Sequence, residues 1–272
     1  MKLLGLWLLC GATLVSAQQT VSTPSPQLAG IAHVALRVHD LDASVAFYEK
    51  LGFVRAFALS RNGTVYEAFL KINDWQFLEL YPATTKDTQT GFLHLCFEGK
   101  NLQSVHDYYV EQGLTANDVH TAGAGNLLFT MYGPETPTGP QTMEYTQYMP
   151  GSLHSKDVGL HLGADRIATR LISVTIAADD PAAATAFYLN KVGFTAASSG
   201  GRSLLVIPGG ADEALEIVPA QPLGFKARIS FAADTKRAAK QLRARGVAFA
   251  KEKHALRVSD PDGNAIILRQ PN

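Results

Sequence analysis

Apolar and polar residues alternate in short runs along this chain, and glycine, proline, asparagine and aspartate punctuate the runs. Alternation of period two predicts strands at 31–38, 54–59, 65–71, 76–81, 92–98, 115–121, 126–132 and 141–148. Two stretches follow helical spacing instead. One is 42–51, with Phe47 and Tyr48 on its apolar face; the other is 101–112, stopped by Gly113. The order is strand, helix and three strands, and then the same again: βαβββ taken twice.

The pattern then recurs in the second half. IAHVALRVHDLDASVAFYEKLGF (31–53) is matched by LISVTIAADDPAAATAFYLNKVGF (171–194). His33 stands fourteen residues before Phe47, and Ser173 fourteen before Phe187, so no gap separates the copies there. FLELYP (77–82) corresponds to ALEIVP (214–219), and HLCF (94–97) to RISF (228–231). A helix follows each, 101–112 and 234–245, and each half closes with a proline-glycine turn and a strand, 141–148 and 264–269. The expected fold is α+β: two tandem domains, 30–149 and 169–272, joined by a linker at 150–168 that partly packs on the surface.

Two features of the chain outside the repeat alter the picture. Lys2, an apolar run from Leu3 to Val15 and the small-residue site Val15-Ser16-Ala17 read as a cleaved signal peptide, 1–17. Residues 18–29 then form a flexible leader, and the mature chain is expected to be periplasmic or secreted, without a membrane span. The mature chain keeps one cysteine, Cys96, and cannot close an internal disulfide. Lysine plus arginine equals aspartate plus glutamate, 24 each, so charge supplies no reason to expect nucleic acid as a partner.

Strand parity points to the chemistry. His33 shares a face with Ala35 and Arg37, Glu79 with Phe77 and Tyr81, His94 with Phe92 and Cys96, and Glu144 with Thr142 and Thr146. Each is a polar group embedded among apolar neighbours and needs a partner there. Two imidazoles and one or two carboxylates around one divalent ion satisfy each other, and this nitrogen and oxygen set suits Fe, Mn, Ni, Zn or Co.

On HVALRVHDLDASVAFYEKLGF, FLELYP, HLCFEG and the closing MEY, the chain resembles the vicinal oxygen chelate (VOC) superfamily: glyoxalase I, bleomycin resistance proteins and extradiol dioxygenases. The resemblance implies that each domain pairs two βαβββ modules into a curved mixed sheet. It implies metal ligands on the first, fourth, fifth and eighth strands, slots that hold His33, Glu79, His94 and Glu144. Glyoxalase-like members use all four slots; extradiol dioxygenases use the first, fifth and eighth. Four residues separate Gly139 from Glu144, where the family turn has two or three, so a bulge must absorb one or Thr142 or Tyr145 takes the place of Glu144. In the second half the slots hold Ser173, Glu216, Arg228 and Ile267, so domain 2 is expected to be degenerate, with Glu216 paired to an arginine.

The resemblance implies a metal-dependent enzyme of lyase, isomerase or oxygenase type. Its small-molecule substrate would chelate the ion through adjacent oxygens, with Glu79 or Glu144 moving a proton. One alternative is an extradiol Fe(II) dioxygenase. It is disfavoured because positions 123–125 are Gly-Ala-Gly, where that group places a catalytic histidine before Met131-Tyr132. Another is a sequestering protein that binds a small ligand without catalysis. His154 and His161, in the linker, show no ligand spacing, although their place after the Glu144 strand would let them reach over the site mouth; His39, beside Asp40, is expected to cap a turn. With two domains in one chain, a monomer or a homodimer is expected.

Overall fold

A computed structural model describes residues 26–199, 201–209, 213–223 and 226–270. The predicted signal peptide and the leader as far as residue 25 lie outside them. The first half forms β1 (Leu28–Val38), α1 (Leu41–Lys50), β2 (Arg55–Arg61), β3 (Thr64–Lys71), β4 (Phe77–Pro82), β5 (Gly91–Gly99), α2 (Leu102–Glu111), β6 (His120–Thr121), β7 (Leu127–Thr136) and β8 (Gly139–Gln147). The connecting segment carries one short helix, α3 (Leu153–Lys156). The second half repeats the plan. It runs β9 (Arg170–Ala178), α4 (Pro181–Phe187), β10 (Thr195–Ser199), β11 (Arg202–Val206), β12 (Ala214–Pro219), β13 (Arg228–Ala232), the helix Thr235–Ala244, β14 (Ala250–Glu252), β15 (Ala255–Ser259) and β16 (Ala265–Arg269).

Each half is one mixed eight-stranded sheet. The strand orders, β2-β3-β4-β1-β5-β8-β7-β6 and β10-β11-β12-β9-β13-β16-β15-β14, are superposable. The first, fourth, fifth and eighth strands of a half are therefore its four central ones. Parity assigns the two faces. Val34, Leu36, Leu78, Leu80, Leu95, Phe97, Met143 and Tyr145 belong to the hydrophobic core with Val45 and Tyr48 of α1. The odd-numbered residues of β1, β4 and their even-numbered partners on β5 and β8 face the other way. A slip of one residue in any central strand would exchange those faces.

Local signals account for the helices. Asp40 caps α1 by accepting the Ala43 N–H at 3.0 Å, and Asp180 caps α4 by accepting from Ala182 and Ala183, ahead of Pro181 in the first turn. The matched tyrosines of the two Phe-Tyr helices tie the halves together. Tyr48 donates to Asp260 at 2.9 Å and Tyr188 to Gln141 at 2.6 Å, each reaching the region beside the other half's late turn. Phe53 meets Phe231, and Phe97 meets Phe194, at ring separations of 5.2 and 5.6 Å, so the core is continuous across the two domains.

Two boundaries differ from expectation. β1 begins at Leu28, inside the predicted leader, because Leu28 is buried and its N–H donates to the Pro208 carbonyl of the second half. The predicted strand 115–121 reduces to β6, because the side chain of Asn117 accepts the Thr130 N–H and so takes a position a ladder carbonyl would have held.

Candidate metal centre

Register explains how residues far apart in sequence converge. Across the central strands, Ala35 faces Glu79 on one side and His94 on the other, while His33 faces Cys96, which in turn faces Glu144. Glu79 and His94 thus stand in one row of the sheet, and His33 and Glu144 in the next row, on the same face. Ala35, between Glu79 and His94, is too small to fill the space between the rows. The four side chains lean into it.

The donor atoms meet at contact distance. His33 Nε2 lies 3.1 Å from His94 Nε2, and Glu144 Oε2 is 3.5 Å from the first and 3.4 Å from the second. Bonds of ~2.0–2.1 Å to one ion place neighbouring donors about 2.9–3.4 Å apart, so the triangle has the size of a metal's coordination face. Glu79 divides its oxygens. Oε2 is 3.5 Å from His94 Nε2, while Oε1 sits 2.9 Å from His33 Nδ1, the far nitrogen of that ring. The Nδ1 contact is off the N–H direction, and this buried nitrogen has no hydrogen bond. His33, Glu79 and His94 are 2–5% exposed. The β5–β8 register pairs Glu144 with Cys96 despite the longer turn before it, and a register shift between Tyr132 and Glu135 falls on the partner strand. Glu144 therefore faces in, and Tyr145 stacks on Phe129 in the core at 4.8 Å.

Electrostatics fit a cation site. Burial alone would raise the Glu79 carboxyl, but His33 and then His94 hold it well below the usual carboxylate range. Burial opposes charge on His33 too, yet the carboxylates of Glu79 and Glu144 beside it push it well above its ordinary value. Without a metal ion, a proton on the imidazole supplies the positive charge that the carboxylates demand. Burial pushes the Cys96 thiol, beside His33 in the same row, up to about 12, so it stays protonated at neutral pH.

The site floors a cavity of about 290 Å³. Its walls include Glu67, which strand parity had not singled out, together with Tyr81 and His154. Burial and then the charge of Glu79 push Glu67 up to about 8, and Tyr81 donates to Glu79 Oε2 at 3.3 Å. Period two on β3 places Glu67 with Phe69 on the cavity side, a signal that was available. Other expectations fell elsewhere. His161 pairs with Asp157 instead of reaching the cavity. His39 donates its backbone N–H to Asp262 across the domain boundary.

His154 does reach the site, on α3. Phe57, Phe69 and Phe77 meet its ring edge-on at 5.0–5.3 Å, and Tyr148 stacks on it at 4.4 Å. Both ring nitrogens are buried without a partner, and burial pushes its pKa down from 6.5 to about 4. Above pH 6.5 folded and unfolded chains both carry this ring neutral. Below that, the unfolded chain takes up a proton that the folded chain refuses until about pH 4, so stability drops across this window, by up to about 3 kcal/mol. His154→Phe keeps a ring and removes both nitrogens. Urea unfolding at about pH 7 and about pH 4.5 is expected to show a smaller acid loss in the variant; parallel losses in the two proteins would contradict this account.

In domain 2 the corresponding slots hold no such cluster. The arginine beside Glu216 is Arg202, at 3.8 Å, and not Arg228, which turns to Glu252 at 3.5 Å. Among the described residues, clusters of three metal-ligating side chains occur only in the first half.

Residues 30–141 match the sequence model of the Glyoxalase/Bleomycin resistance protein/Dioxygenase superfamily. They belong to that superfamily. No curated protein matches the chain by sequence. Solved structures with this fold span both halves. A 2,3-dioxygenase, LapB, from Pseudomonas sp. KL28 is 15% identical with a TM-score of 0.66, covering 92% of this chain and 94% of its own. A Mn(II)-bound glyoxalase from Novosphingobium aromaticivorans is 14% identical with a TM-score of 0.65, covering 89% and 82%. An extradiol ring-cleaving dioxygenase from B. fuscum is 17% identical with a TM-score of 0.64, covering 92% and 73%. The chain carries the same fold twice, in tandem.

Proposed function

We propose that the first domain holds one divalent metal ion on His33, His94 and Glu144. We further propose that the protein is a VOC enzyme acting on a small substrate with two adjacent oxygens. The observation that carries this reading is the donor triangle of 3.1, 3.4 and 3.5 Å at the floor of a cavity. The superfamily match, and a Mn(II)-bound glyoxalase among the similar folds, support it. A bound ion supplies Lewis acidity toward the substrate oxygens. Glu79 is either a fourth ligand, through the Oε2 that lies 3.5 Å from His94 Nε2, or a negative charge beside His33 Nδ1.

The remaining side chains suit proton transfer. Glu79 is ionised, and Glu67 beside it is protonated up to about pH 8. Two adjacent carboxyls with separated pKa values supply a base and an acid in one wall of the cavity. Glu79 accepts a proton from the substrate, Glu67 returns one, and Tyr81 holds Glu79 in place. His154 is neutral at the same pH and, with its ring of aromatics, supplies an apolar wall of the cavity.

A second reading, an extradiol Fe(II) dioxygenase, has one specific observation in its favour. Glu144 Oε2 lies 3.4–3.5 Å from both histidines, so two histidines and one carboxylate could hold the ion without Glu79. Two measurements separate the chemistries. Under nitrogen, the metal-loaded protein is expected to exchange the α-hydrogen of an α-hydroxycarbonyl compound for deuterium. Under air, with Fe(II) and a catechol, no oxygen uptake above the metal-free protein is expected. Oxygen uptake without exchange would replace the first reading with the second. Export is proposed on the apolar N-terminal run alone.

A further inference from the structure

The register of the two sheets allows their cavity-side residues to be matched one by one. Phe77 opposes His33 as Ala214 opposes Ser173, which equates Glu79 with Glu216. Cys96 opposes His33 as Ser230 opposes Ser173, which equates His94 with Arg228. Glu144 opposes Cys96 as Ile267 opposes Ser230, which places Arg269 at the position of Thr146. Lys71 opposes Phe77 as Val206 opposes Ala214, which places Arg202 at the position of Glu67.

This matching exposes an inversion of charge. The first domain carries Glu67, Glu79 and Glu144 with two histidines on this face. The second carries Arg202, Arg228 and Arg269, with Glu216 the one acid at the matched positions. Those three arginines, together with Lys253, line a cleft of about 670 Å³ in the second domain. Glu252 is the acidic side chain in the same lining.

The arginines are placed but not saturated. Arg269 Nη2 donates to Ser173 Oγ at 2.8 Å, which turns its guanidinium back along the face. Arg202 and Arg228 stand 3.8 and 3.5 Å from Glu216 and Glu252, with side-chain exposures of 28% and 38%. These are loose, solvent-screened pairs. Each guanidinium has five N–H donors in a flat fork that matches the two oxygens of a carboxylate or phosphate.

We propose that the cleft of the second domain binds a small oxyanion, carboxylate or phosphate, held by Arg228 and Arg269 with Arg202 at its edge. The site is independent of the metal reading of the first domain. It gives the degenerate half a role in binding an anionic substrate or effector.

Calorimetric titration of the full mature chain tests this, with succinate and inorganic phosphate as probes and glycerol as the neutral control. One saturable site per chain is expected for at least one anion and none for glycerol. Affinity should fall several-fold as salt rises from about 0.01 M to about 0.15 M, where the screening length shrinks from about 30 Å to about 8 Å. Arg228→Gln and Arg269→Gln should each weaken binding at least ~10-fold, the loss of a charge-assisted fork. Arg55→Gln, on the exposed outer part of the first sheet, and His94→Ala should leave it unchanged. Because the arginines are partly exposed, their variants should fold, which an unchanged melting temperature checks. Binding of succinate alone, or of phosphate alone, supports the site and names the group it takes. Absence of saturable heat with both anions overturns the proposal, as does unchanged binding in both arginine variants or loss of binding in His94→Ala.

Discussion

Protein carrying His94→Ala is expected to leave a desalting column with almost no metal, where the wild type retains close to one ion per chain. His94 Nε2 is the atom common to the short contacts: 3.1 Å to His33, 3.4 Å to Glu144 and 3.5 Å to Glu79. Its removal leaves no pair of nitrogens for the ion. Loss of an outer-shell partner alone costs about 10–100-fold in metal affinity, so loss of this ligand should cost more than ~100-fold. Catalysis should fall with the metal. The variant should still fold, because His94 lies on the sheet face away from the hydrophobic core, to which Leu95 and Phe97 belong. His39→Ala, which alters an exposed histidine at the domain boundary, should keep its metal. Elemental analysis of the three proteins decides the matter. Equal metal in wild type and His94→Ala would place the ion elsewhere, and the functional reading would go with it.

The sequence brought His33, Glu79, His94 and Glu144 together through strand parity and the slots that the family resemblance implies. A strand presents alternate residues to one face, so a histidine or glutamate among apolar neighbours declares which face it serves. The internal repeat then aligned the strands, and the four polar residues fell on the first, fourth, fifth and eighth. What the sequence does not carry is the direction in which a long side chain leans. Arg228 was the expected partner of Glu216 because they occupy neighbouring slots. In the fold Arg228 leans to Glu252, and Arg202, from the strand beyond, fills the gap.

Glu67 shows a different limit. Its parity on β3 was readable, but a lone glutamate near a strand start reads as solvent-facing. Only the approach of Glu79 and Tyr81 from the neighbouring strand makes it a buried acid. His154 was harder still. The connecting segment has no period of its own, and its path over the cavity is decided by contacts with residues distant in sequence. Leu153 donates to Ala124, Gly159 to Asp74, and Asp157 reaches Lys71.

The last of those contacts should be the most costly to remove. Lys71 ends β3, where a lysine would ordinarily extend into water; here its side chain is fully buried. Its ammonium group lies 2.8 Å from Asp157 Oδ2 and 2.8 Å from Asp74 Oδ1, and it donates to the Asp157 carbonyl. Asp157 is itself 5% exposed. Two charges taken out of water contribute little net stability when paired, but breaking such a pair leaves one of them buried alone. Lys71→Met preserves the volume of the stem and strands Asp157, with the exposed His161 still beside it. The expected loss is about 4 kcal/mol in urea unfolding. Adding Asp157→Asn removes the stranded charge, so the double variant should recover at least ~1.5 kcal/mol relative to additivity. The same substitution should loosen α3 and the His154 roof, raising KM while the metal content of the folded protein stays that of the wild type. If Lys71→Met unfolds at the wild-type urea midpoint, the ammonium group is not what pins the connecting segment, and His154 is held at the cavity by another anchor.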